Sequence, residues 1–201
     1  MSFEHIHGQE HAKRILQNGL KNEQVSHAYI FHGPPGTGKR ATAFAFAKAL
    51  LCQHQLEQAC GECLECRKVD SGNHTGVHLI VPEGSTVKID QIRQLQKQFS
   101  YRNASGGSVQ VYIIEEAEKM TTQAANSLLK FLEEPGSAIV AILLTVNGQA
   151  LLPTIRSRAQ SVAFTPLSPL VMAPALIAEG LSAALVLPAV RLAAGLSAAR
   201  E

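Results

Sequence analysis

His27-Ala-Tyr-Ile-Phe-His-Gly-Pro-Pro-Gly-Thr-Gly-Lys-Arg40 decides the fold of this 201-residue chain. Gly33, Gly38 and Lys39 fall on the fixed positions of the phosphate-loop pattern G-x-x-x-x-G-K-[ST], and Gly36 adds a further glycine inside the loop. Before the loop, Ala28 and Ile30 mark an apolar strand; after it, 39 to about 53 is rich in Ala, Leu and Phe and reads as a helix. A glycine-rich loop that feeds a helix N-terminus aims backbone N–H groups and the positive end of the dipole at a phosphate. Gly33, Pro34, Pro35, Gly36, Thr37, Gly38, Lys39 and Arg40 are therefore the candidate nucleotide-binding residues, for ATP or ADP. One position departs from the pattern. The last residue should be Ser or Thr, whose hydroxyl holds Mg²⁺, and here it is Arg40, a permanent cation that coordinates no metal. Thr42 is no substitute, because two residues along a helix turn a side chain by about 200°. The loop is built to hold a nucleotide and poorly equipped to hydrolyse it.

The composition is that of a globular protein: 46% apolar and 17% charged residues, enough to bury a core. A net charge of +2 offers no electrostatic argument for nucleic-acid binding. The first ten residues are polar and lack the apolar core of a signal peptide. Ala159 to Ala178 carries no charge, but Pro166, Pro169 and Pro174 make it a poor membrane span. A cytoplasmic location and no membrane partner are expected.

All four cysteines lie within 15 residues: Cys52, then Cys60-Gly-Glu-Cys63-Leu-Glu-Cys66. Thiolates three apart around a tight turn take two corners of a tetrahedron, and a closed four-thiolate shell suits structural Zn²⁺. An iron–sulfur cluster uses the same donors. His54 is an alternative fourth ligand to Cys52, disulfides are disfavoured in a reducing cytosol, and a redox C-x-x-C leaves two cysteines unexplained.

Elsewhere, strands and helices alternate. Ile6–Asn22 reads as an amphipathic helix and Val77–Val81 as a short buried strand; Asp90 sits where an N-cap belongs, before Ile92, Leu95 and Phe99 at helical spacing. Ser105–Ser108 is a loop, Val109–Ile114 a strand, and Thr121 or Thr122 caps a helix that carries Ala125, Leu128, Leu129 and Leu132 and stops at Pro135. Ile139–Thr145 and Ser161–Phe164 are further strands. The pattern is an α/β fold with a mostly parallel sheet covered on both faces. Glu115 and Glu116 end an apolar strand downstream of the phosphate loop. A carboxylate there orients Mg²⁺ and a second one polarises water, whereas a solvated helix start, with Glu118 and Lys119 following, accounts equally well for Glu116 and better for Glu115, which is one methylene longer than the Asp usual at that place.

Together these stretches resemble the bacterial DNA polymerase III delta-prime subunits, a clamp-loader family of AAA+ proteins. The resemblance covers about residues 5–166. It is carried by Ser26–Gly33, the phosphate loop, the cysteines, Val87–Arg93, Val111–Met120, Ala124–Pro135 and Leu152–Arg158. It implies an AAA+ P-loop domain over 1–166 with a five-stranded parallel sheet, and a zinc module inserted at about 52–66 with Cys52, Cys60, Cys63 and Cys66 as ligands. A small helical lid over 167–201 would follow, truncated and without the C-terminal collar domain. Phosphate contacts fall on Gly33–Lys39, the acidic pair on Glu115-Glu116, and a γ-phosphate sensor near Thr145 or Asn147. Arg158 lies in the match to the family's Ser-Arg-Cys motif, with Ala159 in place of the cysteine. Such an arginine reaches into a neighbour's ATP site, a finger supplied in trans that is worth about 10³–10⁵ in rate.

The resemblance implies a delta-prime-type subunit of a nucleotidyltransferase assembly. It would help ATP-driven loading of a sliding clamp onto primed DNA while not hydrolysing ATP itself. Its partners would be gamma/tau-type motor subunits, the delta subunit and, through the assembly, the clamp and primer-template DNA. A gamma/tau-type motor ATPase is the alternative, and a zinc-dependent DNA-binding module a third reading. Leu167–Glu201 departs from a three-helix lid: it has few charges, prolines at 169, 174 and 188, and breaks expected at Gly180-Leu181 and Gly195, with Arg191 and Arg200 as candidate lid arginines.

Overall fold

A computed structural model describes residues 2–54, 58–95, 109–133, 139–178 and 180–192. A 3-10 turn at Phe3–His5 leads into α1 (Glu10–Lys21), then β1 (Ala28–His32), α2 (Lys39–Leu51), α3 (Leu64–Asp70) and β2 (Val77–Ile80). After α4, helical over 89–95 of the described residues, come β3 (Gln110–Ile114), α5 (Thr122–Glu133), β4 (Ile139–Thr145), α6 (Pro153–Arg156) and β5 (Gln160–Ala163). Two further helices follow, α7 (Pro169–Ala178) and α8 (Ala183–Leu192).

The strands form the expected five-stranded sheet in the order β2-β3-β4-β1-β5, and every pairing is parallel. Alternate side chains divide between two cores. Tyr29, Phe31, Val111, Ile113, Ile142 and Val162 pack with α1 and α2, while Ala28, Ile30, Tyr112, Ile114, Ala141 and Leu143 pack with α4, α5 and α6. Central β4 is buried along all seven residues, which is why it reads as an unbroken apolar run rather than an alternation. α2 buries residues nearly all round, and its alanines at 43, 45, 47 and 49 let it lie close to the sheet while Phe46 packs edge-on against Tyr29 with ring centroids 5.2 Å apart.

Several expectations need correction. The first helix starts at Glu10 rather than Ile6, because Gly8 and Gln9 are both left-handed, at φ 65° and 59°, and interrupt it. β2 is only partly buried: it lies at the sheet edge, pairs with β3 alone among the described strands, and buries Ile80 while leaving Leu79 38% exposed. Asp90 lies inside α4 instead of capping it. The first turn is closed instead by Gln91, whose side chain accepts from the Lys88 N–H at 2.9 Å. Thr121 is the cap of α5, its Oγ1 accepting from Ala124 N–H at 3.2 Å. Pro174 and Pro188 sit inside α7 and α8 rather than breaking them. The carbonyl that each deprives of a helical partner belongs to the residue four back, Leu170 and Ala184, and both residues are exposed. The break between the two helices falls at Gly180, at φ 94°. Phe99, Ser105–Ser108, Pro135, Gly195 and Arg200 lie outside the described residues, as does the Arg191 side chain.

α7 and α8 pack on each other through Met172, Ala173, Leu176, Val186 and Val190, a cluster separate from the two sheet cores, with Leu167 beside it. They join the sheet at a clamped turn: the buried Gln9 side chain donates from Nε2 to Thr165 O at 2.6 Å and accepts from Thr165 N–H at 3.1 Å. No helix among the described residues is long and apolar enough to cross a membrane.

Candidate nucleotide site and cysteine cluster

Parallel strands place their C-terminal ends along one rim, and the strand order sets β3, β4 and β1 side by side there. The loop after β1, the Thr145 end of β4 and Glu115 just beyond β3 are therefore neighbours. Gly33 N–H bonds Thr145 O at 3.3 Å, and Phe164 N–H bonds His32 O at 2.8 Å, so the loop is fastened to the strands on both sides. Gly33 has no room for a side chain: a Cβ there would lie 2.1 Å from the Phe164 carbonyl oxygen. Gly38, at φ 85°, turns the chain into α2.

A cavity of about 1040 Å³ opens over this rim, a volume suited to a nucleotide-sized ligand. Gly36, Thr37, Gly38, Lys39 and Arg40 line one side and Glu115, Glu116, Glu118 and Thr145 another. Three walls escaped the sequence reading: the N-terminal segment from Glu4 to His7, Phe44 of α2, and Leu167 with Ala175 and Ala178 of α7. No motif marks them: Phe44 reaches the cavity from the turn of α2 after Arg40, and the other two walls only because the N-terminal segment and α7 fold over the rim.

Within the loop, Thr37 Oγ1 donates to Pro34 O at 2.9 Å, and Lys39 Nζ donates to Gly33 O and Pro34 O at 2.6 and 2.7 Å. Burial pushes the Lys39 ammonium below the ordinary lysine range, while the Glu118 charge works the other way. Arg40 Nε lies 2.9 Å from Glu115 Oε1. This is an ion pair by distance, although the N–H is not aligned and Oε1 accepts no hydrogen bond. The guanidinium also sits 5.8 Å from the centroid of the Phe44 ring, one helical turn on. Glu116 is left-handed, at φ 48°, faces the cavity and pairs with Lys119. Thr145 reaches the cavity wall and Asn147 does not; the Asn147 side chain instead accepts from Gln149 N–H at 2.9 Å. Thr42 Oγ1 is buried and donates to Gly38 O at 2.9 Å, turned away from the cavity.

Arg158 stands apart from the cavity, in the turn between α6 and β5. Its Nη2 pairs with Glu133 Oε1 at 2.9 Å and its Nη1 donates to Thr154 O at 3.1 Å, leaving the side chain 38% exposed.

The four cysteines converge at the end of α2 and the start of α3: Cys52 ends α2, Cys63 caps α3 and Cys66 lies on it. Their four Sγ atoms lie within 4.8 Å of one another, and Cys60 Sγ is 3.9 Å from Cys66 Sγ. A tetrahedron with metal–sulfur bonds of about 2.3 Å has edges of about 3.8 Å, so the donors fit one ion. The peptide N–H groups of Cys60, Cys63 and Cys66 point at the sulfurs of Cys52, Cys60 and Cys63 at 3.4, 3.4 and 3.5 Å. These bonds favour thiolates: the Cys66 N–H brings Cys63 down to about 6, the Cys63 N–H lowers Cys60, and burial drives Cys66 up to about 12. His54 is not part of this group. An ion pair braces the cluster, with the buried Lys48 Nζ of α2 on the exposed Asp70 Oδ2 of α3 at 2.5 Å.

Comparison with known proteins locates this architecture. The family described as DNA polymerase III, delta subunit, matches residues 8–168. The delta-prime subunit of Bacillus subtilis DNA polymerase III is 41% identical over 174 residues, covering 87% of this chain and 53% of the relative. That of Pseudomonas aeruginosa is 42% identical over 138 residues, covering 67% and 42%. The B. subtilis tau subunit is 38% identical over 163 residues, covering 81% and 29%. This chain thus spans about half or less of the length of these relatives. Among solved structures, a gamma subunit-related protein of Thermotoga maritima aligns with TM-score 0.52 and 27% identity, covering 77% of this chain and 45% of that one. The T. maritima RuvB branch-migration motor aligns with TM-score 0.65 over 98% of this chain and 61% of its own, and at 15% identity that likeness concerns the fold alone. The chain belongs to the DNA polymerase III delta-subunit family, and delta-prime subunits stand among its relatives.

Proposed function

We propose that this chain is the nucleotide-binding and lid portion of a clamp-loader subunit of the delta-prime type, one that binds nucleotide without hydrolysing it and lends Arg158 to a neighbouring subunit. The domain division at residues 166 and 167 belongs to this reading, as does a cytoplasmic location. Its partners are gamma/tau-type motor subunits and a delta subunit and, through them, a sliding clamp and primer-template DNA. The observation that carries it is the Arg40–Glu115 pair: the two positions that would hold the metal of an ATPase hold each other instead. Arg158 supports the second half, being partly exposed, braced by Glu133 and remote from the chain's own cavity. At the cysteine cluster the expected ion is Zn²⁺, structural because all four donors are protein thiols. Elemental analysis of the purified protein should return one zinc per chain, and iron or no metal would contradict that assignment.

The test is reconstitution with the motor and delta subunits. Replacing Arg158→Ala should lower clamp-dependent ATP hydrolysis at the neighbouring site by about 10³-fold or more, leaving the assembly intact by gel filtration. An unchanged rate removes the finger. Similarity to the tau subunit keeps a motor-type ATPase as the second reading. Steady phosphate release by the isolated protein with Mg·ATP, abolished by Lys39→Ala, would establish it in place of the first.

A further inference from the structure

We infer that the cavity binds its nucleotide without a divalent cation, the Arg40 guanidinium standing in the place of the metal. This rests on the nucleotide-site reading above and goes further, because it specifies the ionic form of the ligand: a metal-free nucleoside di- or triphosphate. A loop that loses its metal-binding hydroxyl could simply bind Mg·nucleotide more weakly through the remaining carboxylate. The geometry argues otherwise. Mg²⁺ needs near-octahedral oxygen ligands at about 2.0–2.1 Å. Of the two protein positions that would supply them, one is Arg40 and the other, Glu115, has its Oε1 2.9 Å from the Arg40 Nε.

The substitution is therefore not a gap but a replacement. A cation already sits between the helix that cradles the phosphates and the carboxylate that would orient the ion. It does not leave by deprotonation, since guanidinium stays charged at every accessible pH. Phe44 and Glu115 flank it at the cavity wall. A divalent ion brought to the same place meets a like charge at a few ångströms and must displace it from the half-buried Glu115 carboxylate. The guanidinium carries four further N–H donors on its Nη atoms, in the fork arrangement that matches phosphate oxygens. With Lys39 and the N-terminus of α2, Arg40 supplies the positive charge that a di- or triphosphate otherwise takes from Mg²⁺.

The experiment is calorimetric titration of the whole chain with ADP, in millimolar Mg²⁺ and in excess EDTA, for the wild type, Lys39→Ala and Arg40→Thr. The wild-type Kd should agree between the two buffers within about twofold, Lys39→Ala should weaken binding in both, and Arg40→Thr should bind at least about tenfold tighter with Mg²⁺ than without. Wild-type binding that weakens about tenfold or more in EDTA overturns the inference and leaves the nucleotide site standing. Failure of the wild type to bind in either buffer, or binding indifferent to Lys39→Ala, overturns the nucleotide site and the inference with it. Metal-independent wild-type binding that Arg40→Thr leaves metal-independent removes Arg40 as the cause. A measurement on the wild type alone guards against a misfolded variant: water-proton relaxation with Mn²⁺ and ADP should show no protein-bound metal–nucleotide complex, and an enhancement that depends on both would overturn the inference.

Discussion

Single residues decide how the phosphate loop is held, and its glycines differ in why they are glycine. Gly33 has a steric requirement, because backbone of Phe164 occupies the space of a Cβ at 2.1 Å and cannot swing aside as a side chain would. Gly38 has only a conformational one: nothing lies within 4 Å of its Cβ position, but φ is 85°. Gly33→Ala should therefore cost at least about 3 kcal/mol in urea denaturation, and Gly38→Ala only about 1–2 kcal/mol. Equal losses would show that the contact with Phe164 relaxes freely. Much at this scale was legible beforehand, since spacing alone exposed the loop and the misfit at Arg40. Its partner was not. Glu115 was a candidate metal ligand on the strength of its position after a strand, and only the adjacency of β3, β4 and β1 brings it against Arg40. Thr145 and Asn147 were equal candidates for the same reason. The choice between them depends on a local turn in which Asn147 is committed to capping Gln149.

At the scale of elements, α2 and α3 show how a small insertion is kept in register. Lys48 is 3% exposed, so its ammonium relies on Asp70, which is 39% exposed. Burial works against the Lys48 charge, yet the Asp70 carboxylate prevails and lifts its pKa, while Lys48 outweighs desolvation and lowers that of Asp70. The signs fix the pH window. The lowered Asp70 contributes stability above the ordinary aspartate value of about 3.9, lost as pH falls through its folded value, and the raised Lys48 contributes below about 10.4, lost as pH rises through its folded value. Asp70→Asn should thus destabilise the protein by about 1–2 kcal/mol near neutrality, less than for a fully buried pair because the Asp70 side is open to solvent, and the difference from wild type should vanish in strong acid. A deficit that persists at acid pH would assign the loss to packing. Strand positions and the helix before the cysteines were readable from periodicity because buried parallel strands and alanine-rich helices have plain signatures. The burial of β2 was overjudged since a short, mostly apolar run says nothing about which rank in a sheet it occupies, and α1 began late because two successive left-handed residues have no hydrophobic period to betray them.

For the whole molecule, family membership and the five-stranded sheet followed from motifs over about residues 5–166, while the closure of the cavity by both chain ends did not. Glu4 to His7 and α7 carry no phosphate-binding signature; they matter because the fold folds them over the same rim. The amide of Gln9 gives this arrangement a mechanical sense. By gripping Thr165 through both its carbonyl and its N–H, it ties the leading segment to the stretch between β5 and α7, just before Pro166. The tie holds Glu4, His5, Ile6 and His7 on one side of the cavity at a fixed distance along the chain from Leu167, Ala175 and Ala178 on the other, so the two segments act as a buckle across the same opening.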